Sequence, residues 1–161
     1  MKIGVISDTH IPVNCEKLPE QIAKCFKGVD MILHAGDLIE VSVLTDLAKI
    51  TNNVIAVAGN MDLPCVRTKL PQKRIISAGK YKIGLIHGWG SYENLPEQIC
   101  NEFKNDVDIV VFGHSHLAYN EKIGRRLFFN PGSATDKFFS PYVSVGILEL
   151  TDKINAAIIK L

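Results

Sequence analysis

Five short segments of the chain place metal-binding or proton-transferring residues directly behind a run of apolar, often β-branched residues. Asp8-Thr9-His10 follows residues 3–7, His34-Ala35-Gly36-Asp37 follows 30–33, and Gly59-Asn60-Met61-Asp62 follows 53–58. His87-Gly88 follows 82–86, and Gly113-His114-Ser115-His116 follows 108–112. All five histidines of the chain lie in these segments. In Asp8-x-His10 and His114-x-His116 the side chains are two residues apart, so on extended backbone they point to the same side. Glycine next to a ligand, as at Gly36, Gly59, Gly88 and Gly113, permits a sharp turn and close backbone approach. Imidazoles, carboxylates and one amide suit Mn, Fe, Zn, Ni or Co better than Mg or Ca, which favour oxygen shells. The seven candidate ligands are Asp8, His10, Asp37, Asn60, His87, His114 and His116. They are too many for one tetrahedral ion, so the expected cofactor is a pair of divalent transition-metal ions.

Such ligands act together only if the strands before them end side by side. The first half alternates short strand-like runs (2–7, 30–33, 53–58) with stretches of helical period (18–27 and 42–50), which favours a parallel sheet with crossover helices. Leu18, Ile22, Cys25 and Phe26 share one face, Pro19 suits a first turn, Gly28 a stop, and Ser42 an N-cap. In α/β sheets, ligands collect beyond the carboxyl ends of strands, which would bring the five segments together. Further on, 74–78 and 81–86 flank the Gly79-Lys80 turn, a helix is expected at 96–104, and a strand at 108–112. The runs 119–123, 127–130, 142–150 and 154–160 read as antiparallel strands. The expected fold is one α/β domain over residues 1–161 with a mixed or double sheet.

The chain has 161 residues, and its 18 basic and 17 acidic side chains nearly cancel. Apart from the loose group Arg67, Lys69, Lys73 and Arg74, the basic residues are scattered, which argues against a general nucleic-acid-binding surface. The apolar runs fall far short of the ~20 residues needed to span a bilayer, and no export signal is read at the N-terminus. Cys15, Cys25, Cys65 and Cys100 are widely spaced and read as reduced thiols, so the expected location is cytoplasmic.

The series Asp8-Thr9-His10, His34-Ala35-Gly36-Asp37, Gly59-Asn60-Met61-Asp62, His87-Gly88 and Gly113-His114-Ser115-His116 runs from residue 8 to residue 116 of the 161. In this order it resembles the calcineurin-like metallophosphoesterase superfamily, and the lack of large insertions resembles its small phosphodiesterase branch related to Vps29. The resemblance implies an α/β/β/α sandwich, two packed β-sheets flanked by helices. It implies that Asp8, His10 and His116 hold one metal, that Asn60, His87 and His114 hold the other, and that Asp37 bridges them, with manganese favoured. The implied chemistry is hydrolysis of a phosphate ester, most readily a small phosphodiester, by a metal-bridging hydroxide attacking phosphorus in line. Two divalent ions, two carboxylates and that hydroxide leave one formal positive charge, which a diester monoanion neutralises.

Met61 stands where many superfamily members carry a histidine thought to donate a proton to the leaving oxygen. A general acid is typically worth ~10²–10⁴-fold, so the substitute donor is Asp62 or a metal-polarised water, and Asp62 joins Asp37 and Asn60 in the catalytic set. Asn60, Ser115 and Ser133, the last in Asn130-Pro131-Gly132-Ser133, are the substrate-contact candidates, with a turn role as the alternative for both serines. His34 reads as a structural or supporting residue, with a direct ligand role as the alternative. Trp89, Tyr92, Phe138 and Phe139 read by default as core, with stacking on a base or a partner as the alternative. A rival reading is a catalytically weak, Vps29-like protein-binding scaffold that keeps the metal site. Homo-oligomerisation is left open.

Overall fold

Two five-stranded mixed sheets lie face to face, and helices cover their outer faces. The computed structural model describes residues 1–103 and 106–161. In chain order the elements are β1 (Lys2–Ile6), α1 (Glu20–Cys25), β2 (Met31–His34), α2 (Ser42–Ala48), β3 (Val54–Ala56), α3 (Pro64–Arg67) and β4 (Lys73–Ala78). They continue with β5 (Tyr81–Ile86), α4 (Leu95–Ile99), β6 (Ile109–Val111), β7 (Ala118–Ile123), β8 (Arg126–Pro131), β9 (Ser144–Leu150) and β10 (Ile154–Lys160). The first sheet runs β10-β9-β1-β2-β3 and the second β4-β5-β6-β8-β7. β1, β2 and β3 are mutually parallel, as are β5, β6 and β8, so their carboxyl ends share an edge within each sheet.

Strand alternation decides which side chains go where. Ile3, Val5 and Leu33 from the first sheet meet Ile83, Leu85, Val111 and Phe129 from the second in the layer between the sheets. Ile6 and Ile32 face outward under Ile22, Phe26, Val43 and Leu47 of the α1 and α2 region. Val110, Phe112 and Phe128 do the same on the second sheet, under Leu95, Ile99 and Phe103. The Phe26 ring lies so close over Gly4 that a Cβ there would meet it at 2.9 Å. Phe103 sits over Gly84 in the same way, at 2.7 Å. Fully burying such a ring contributes about 1.5–3 kcal/mol.

Several local expectations are corrected. α1 is shorter than 18–27, with Pro19 at the N-cap position rather than in the first turn. Ser42 is the first residue of α2, not its cap; Val41 takes that place, and the Ser42 hydroxyl turns back to Glu40. The stretch after Gly59-Asn60-Met61-Asp62 contains the short helix α3, which its proline start and missing apolar period concealed. The helix expected at 96–104 is α4 at Leu95–Ile99, and Lys104 lies outside the described residues. The tail strands do pair antiparallel, β7 with β8 and β9 with β10, but the two pairs join different sheets, and β8 also runs parallel beside β6.

Candidate metal centre

All five polar segments follow the carboxyl ends of β1, β2, β3, β5 and β6, where the two sheets' parallel edges meet. Reaching across that edge bends the backbone sharply. Six non-glycine residues have positive φ, namely Asp8, His10, Asp37, Ile39, His114 and His116, and five of these are ligand candidates. Left-handed backbone costs roughly 1–2 kcal/mol per residue. Bonds across the loops offset part of this: Asp8 N donates to Gly36 O at 3.1 Å, and His10 N to Asp37 O at 3.0 Å. Strain gathered at one place in this way is a mark of functional sites.

The candidate ligand atoms converge in two adjoining groups. His116 Nε2 lies 3.2 Å from His10 Nε2 and 3.4 Å from Asp8 Oδ1. Asn60 Oδ1 lies 3.1 Å from His87 Nε2 and 3.0 Å from His114 Nδ1. Between the groups sits Asp37 Oδ2, 3.5 Å from His10 Nε2 and 3.3 Å from His87 Nε2. Ligand atoms bound at ~2.1 Å to a tetrahedral or octahedral ion stand about 3.0–3.4 Å apart, so the spacing and the N/O donor set fit divalent transition metals. Asp8, His10 and His116 form one set of potential metal-binding side chains, and Asp8, Asp37 and His87 another. Asp8 thus reaches both sets, whereas the resemblance gave it to one.

The imidazoles are aimed from behind. His87 Nδ1 donates to Ala35 O at 2.7 Å and His114 Nε2 to Gly90 O at 3.1 Å, which turns the opposite nitrogen of each ring toward the centre, where it would ligate a metal once deprotonated. His116 Nδ1 meets Asp136 Oδ2 at 2.5 Å, and Asp136 Oδ1 accepts from Phe138 N and Phe139 N. Sequence reasoning missed Asp136, a lone acidic residue in a loop with no telling spacing. Two glycines make room for carboxylates: a Cβ on Gly59 would lie 2.1 Å from Asp37 Oδ1, and one on Gly113 would lie 2.0 Å from Ser7 Oγ and 2.8 Å from Asp8 Oδ2. Ser7 Oγ is the one buried side-chain oxygen without a partner among the described residues.

Charge is concentrated here as well. Burial alone would raise the Asp8 carboxyl, but hydrogen bonds from His10 and His116 hold it far below the usual range. Burial opposes protonation of His87 and His116, yet the carboxylates around them raise both to about 9. His34 is buried, with its ring between Thr9 Oγ1 and Gly36 N, and that burial lowers it to about 3, so it is neutral. Its partners are loop groups, in keeping with a supporting role.

The remaining expected residues stand elsewhere in the geometry. Asp62 is only 2% exposed, and its two oxygens accept from Ile39 N and Gly59 N, each at 2.7 Å. Burial raises its carboxyl above the usual range despite those bonds. Ser133 is buried, donates to Asp8 O at 2.7 Å and accepts from Asp136 N at 2.9 Å. Ser115 is half-buried, and its hydroxyl accepts from Asn130 Nδ2 at 3.1 Å. Core packing is overturned for the four aromatics: Trp89, Tyr92, Phe138 and Phe139 are all exposed, Phe138 at 93% and Phe139 at 85%. Each lies in a loop, beyond the strand alternation that would turn it inward. No helix among the described residues is long and apolar enough to cross a membrane.

Comparison with known proteins gives the family and the fold. The profile of the calcineurin-like phosphoesterase superfamily domain matches residues 1–153. A probable metallophosphoesterase of Methanothermobacter thermautotrophicus is 34% identical, over 99% of this chain and 92% of its own. Vps29 of Entamoeba histolytica, solved in complex with Zn²⁺, is 26% identical with a TM-score of 0.76 and 99% of each chain covered. A structure described as a novel archaeal phosphodiesterase covers 100% of both chains with a TM-score of 0.81, and at 24% identity it attests the fold alone. The chain belongs to the calcineurin-like phosphoesterase superfamily, and its two packed sheets with flanking helices are the fold of the metallophosphoesterases and Vps29.

Proposed function

We propose that the protein is a metal-dependent phosphodiesterase working with two divalent ions, manganese favoured. The convergence of Asp8, His10, Asp37, Asn60, His87, His114 and His116 at separations of 3.0–3.5 Å carries this reading. When bound, the ions supply Lewis acidity toward the phosphate and a water activated near neutral pH. Asp37 would serve both ions, a role supported by its Oδ2 standing between His10 Nε2 and His87 Nε2. Asn60, exposed at the rim, is the residue best placed to touch phosphate as well.

Asp62 and Ser133 take positioning roles. Both Asp62 oxygens are engaged by backbone N–H groups, which favours a clamp on the 59–62 loop over proton donation. Ser133 supports the Asp8 loop from below and is closed to substrate. With Met61 57% exposed where a histidine is common, activity should favour good leaving groups. The remaining functional readings are a single domain over 1–161, a cytoplasmic location and a small phosphodiester substrate.

Purified protein given Mn²⁺ or Ni²⁺ is expected to hydrolyse bis(p-nitrophenyl) phosphate, and Asp37→Asn to abolish this. Failure with every divalent transition metal would sink the proposal. The scaffold reading is favoured by the exposed Phe138 and Phe139 beside His116. Co-purification of a stoichiometric partner with a metal-loaded but inactive protein would select it.

A further inference from the structure

A cavity of about 550 Å³ opens beside Asn60 and His87, within the range of roughly 300–1,000 Å³ usual for ligand pockets. Its other lining includes Arg67 at the end of α3, Gln72 before β4, Lys73 at the start of β4, and Trp89 after β5. The charge of Lys73 is already answered: its Nζ donates to Glu102 Oε2 at 2.7 Å. The Arg67 guanidinium has no hydrogen bond or ion pair among the described residues. Trp89 lines the cavity with 46% of its surface open to water. An uncommitted guanidinium, an open indole and an amide thus share one hollow whose wall includes two ligand candidates.

We propose that this cavity is a nucleotide subsite, holding the arm of the substrate beyond the reacting phosphate; this rests on the phosphodiesterase reading. Trp89 stacks on the base, an interaction open to every base because each has a π-face. Gln72 offers a donor and an acceptor to the base edge. Arg67 takes a further phosphate in the paired, planar geometry that a guanidinium favours. The substrate class is therefore a phosphodiester with one arm a phosphorylated nucleoside.

Trp89 is the chain's one tryptophan, so its fluorescence reports occupancy directly, without turnover. In the metal-free protein AMP should quench it saturably, adenosine should bind about tenfold more weakly for want of the charged contact, and inorganic phosphate should leave it unchanged. Arg67→Gln should bring AMP down to the adenosine level, with circular dichroism showing an unaltered fold. The proposal is overturned if AMP leaves Trp89 silent, if adenosine binds as tightly as AMP, or if Arg67→Gln binds AMP as wild type does. Parallel turnover of methyl p-nitrophenyl phosphate by the Mn²⁺-loaded protein separates the two readings. Turnover without AMP quenching removes the subsite and leaves the phosphodiesterase; AMP quenching that Arg67→Gln weakens to the adenosine level, without turnover, removes the phosphodiesterase and leaves the subsite.

Discussion

Replacing Gly59 with alanine is the most informative single change, because it attacks the centre through space rather than by removing a ligand. The new Cβ would lie 2.1 Å from Asp37 Oδ1 and 2.4 Å from Asp37 N. Neither neighbour yields cheaply: one is backbone, and the carboxylate accepts from Met61 N at 2.7 Å while facing His10 and His87. Overpacking of this kind costs about 1–3 kcal/mol, and losing a hydrogen bond to a charged group about 1.5–3 kcal/mol more. Taking about 3 kcal/mol, at roughly 2–4 °C per kcal/mol for a chain of this size, the melting temperature should fall by roughly 6–12 °C. Displacing Asp37 should also abolish any thermal stabilisation by Mn²⁺. Gly79→Ala is the control: nothing lies within 4 Å of its Cβ and only φ +63° opposes it, so about 1–2 kcal/mol is expected with the metal response kept. Thermal unfolding followed by circular dichroism, with and without Mn²⁺, reads both variants. If Gly59→Ala melts with Gly79→Ala and keeps its Mn²⁺ shift, the cradle around Asp37 has been misread.

Asp136→Asn removes the carboxylate behind His116 and should weaken metal affinity about 10–100-fold by titration calorimetry; unchanged affinity would make the contact incidental. His87 and His116 of the metal-free protein titrate at about 9, so metal must displace protons and affinity should climb as pH rises from 6 toward 9. Calorimetry in buffers of different ionisation enthalpy counts those protons, and a pH-independent affinity would contradict the assignment. The same two groups have folded values above the unfolded 6.5. Their contribution to metal-free stability is full below 6.5 and is lost as pH rises through 9. His34 has the opposite sign: depressed to about 3, it costs stability at up to roughly 1.4 kcal/mol per pH unit as pH falls from 6.5 toward 3. His34→Gln should flatten that slope in urea unfolding, and an unchanged slope would place the cost elsewhere.

The ligand segments were legible because chemistry and strand pattern coincide there. A β-branched run ending in a histidine or carboxylate names both a buried strand and what lies past its end, and each such segment follows a parallel strand. The four-layer order was less legible in the residues themselves. Strands of the tail enter both sheets, and nothing local distinguishes β8, which lies beside β6, from β9, which lies beside β1. The supports of the site were hidden for a similar reason: Asp136 and Ser133 matter through contacts with His116 and Asp8, more than a hundred residues away in the case of Ser133 and Asp8. Asp62 was legible as an acidic residue beside the site but not as a clamp, since that depends on where the N–H groups of Ile39 and Gly59 point. The four aromatics Trp89, Tyr92, Phe138 and Phe139 were given core packing by default, and they are exposed because loop residues obey no alternation.

The central claim is that the converging side chains make a two-ion hydrolytic centre, and turnover of bis(p-nitrophenyl) phosphate against added Mn²⁺ tests it most directly. With protein stripped of metal, the rate should rise with added Mn²⁺ and level off at two bound ions per chain, as counted by mass spectrometry of the same samples. No turnover with two ions bound, or a full rate with none, would contradict it.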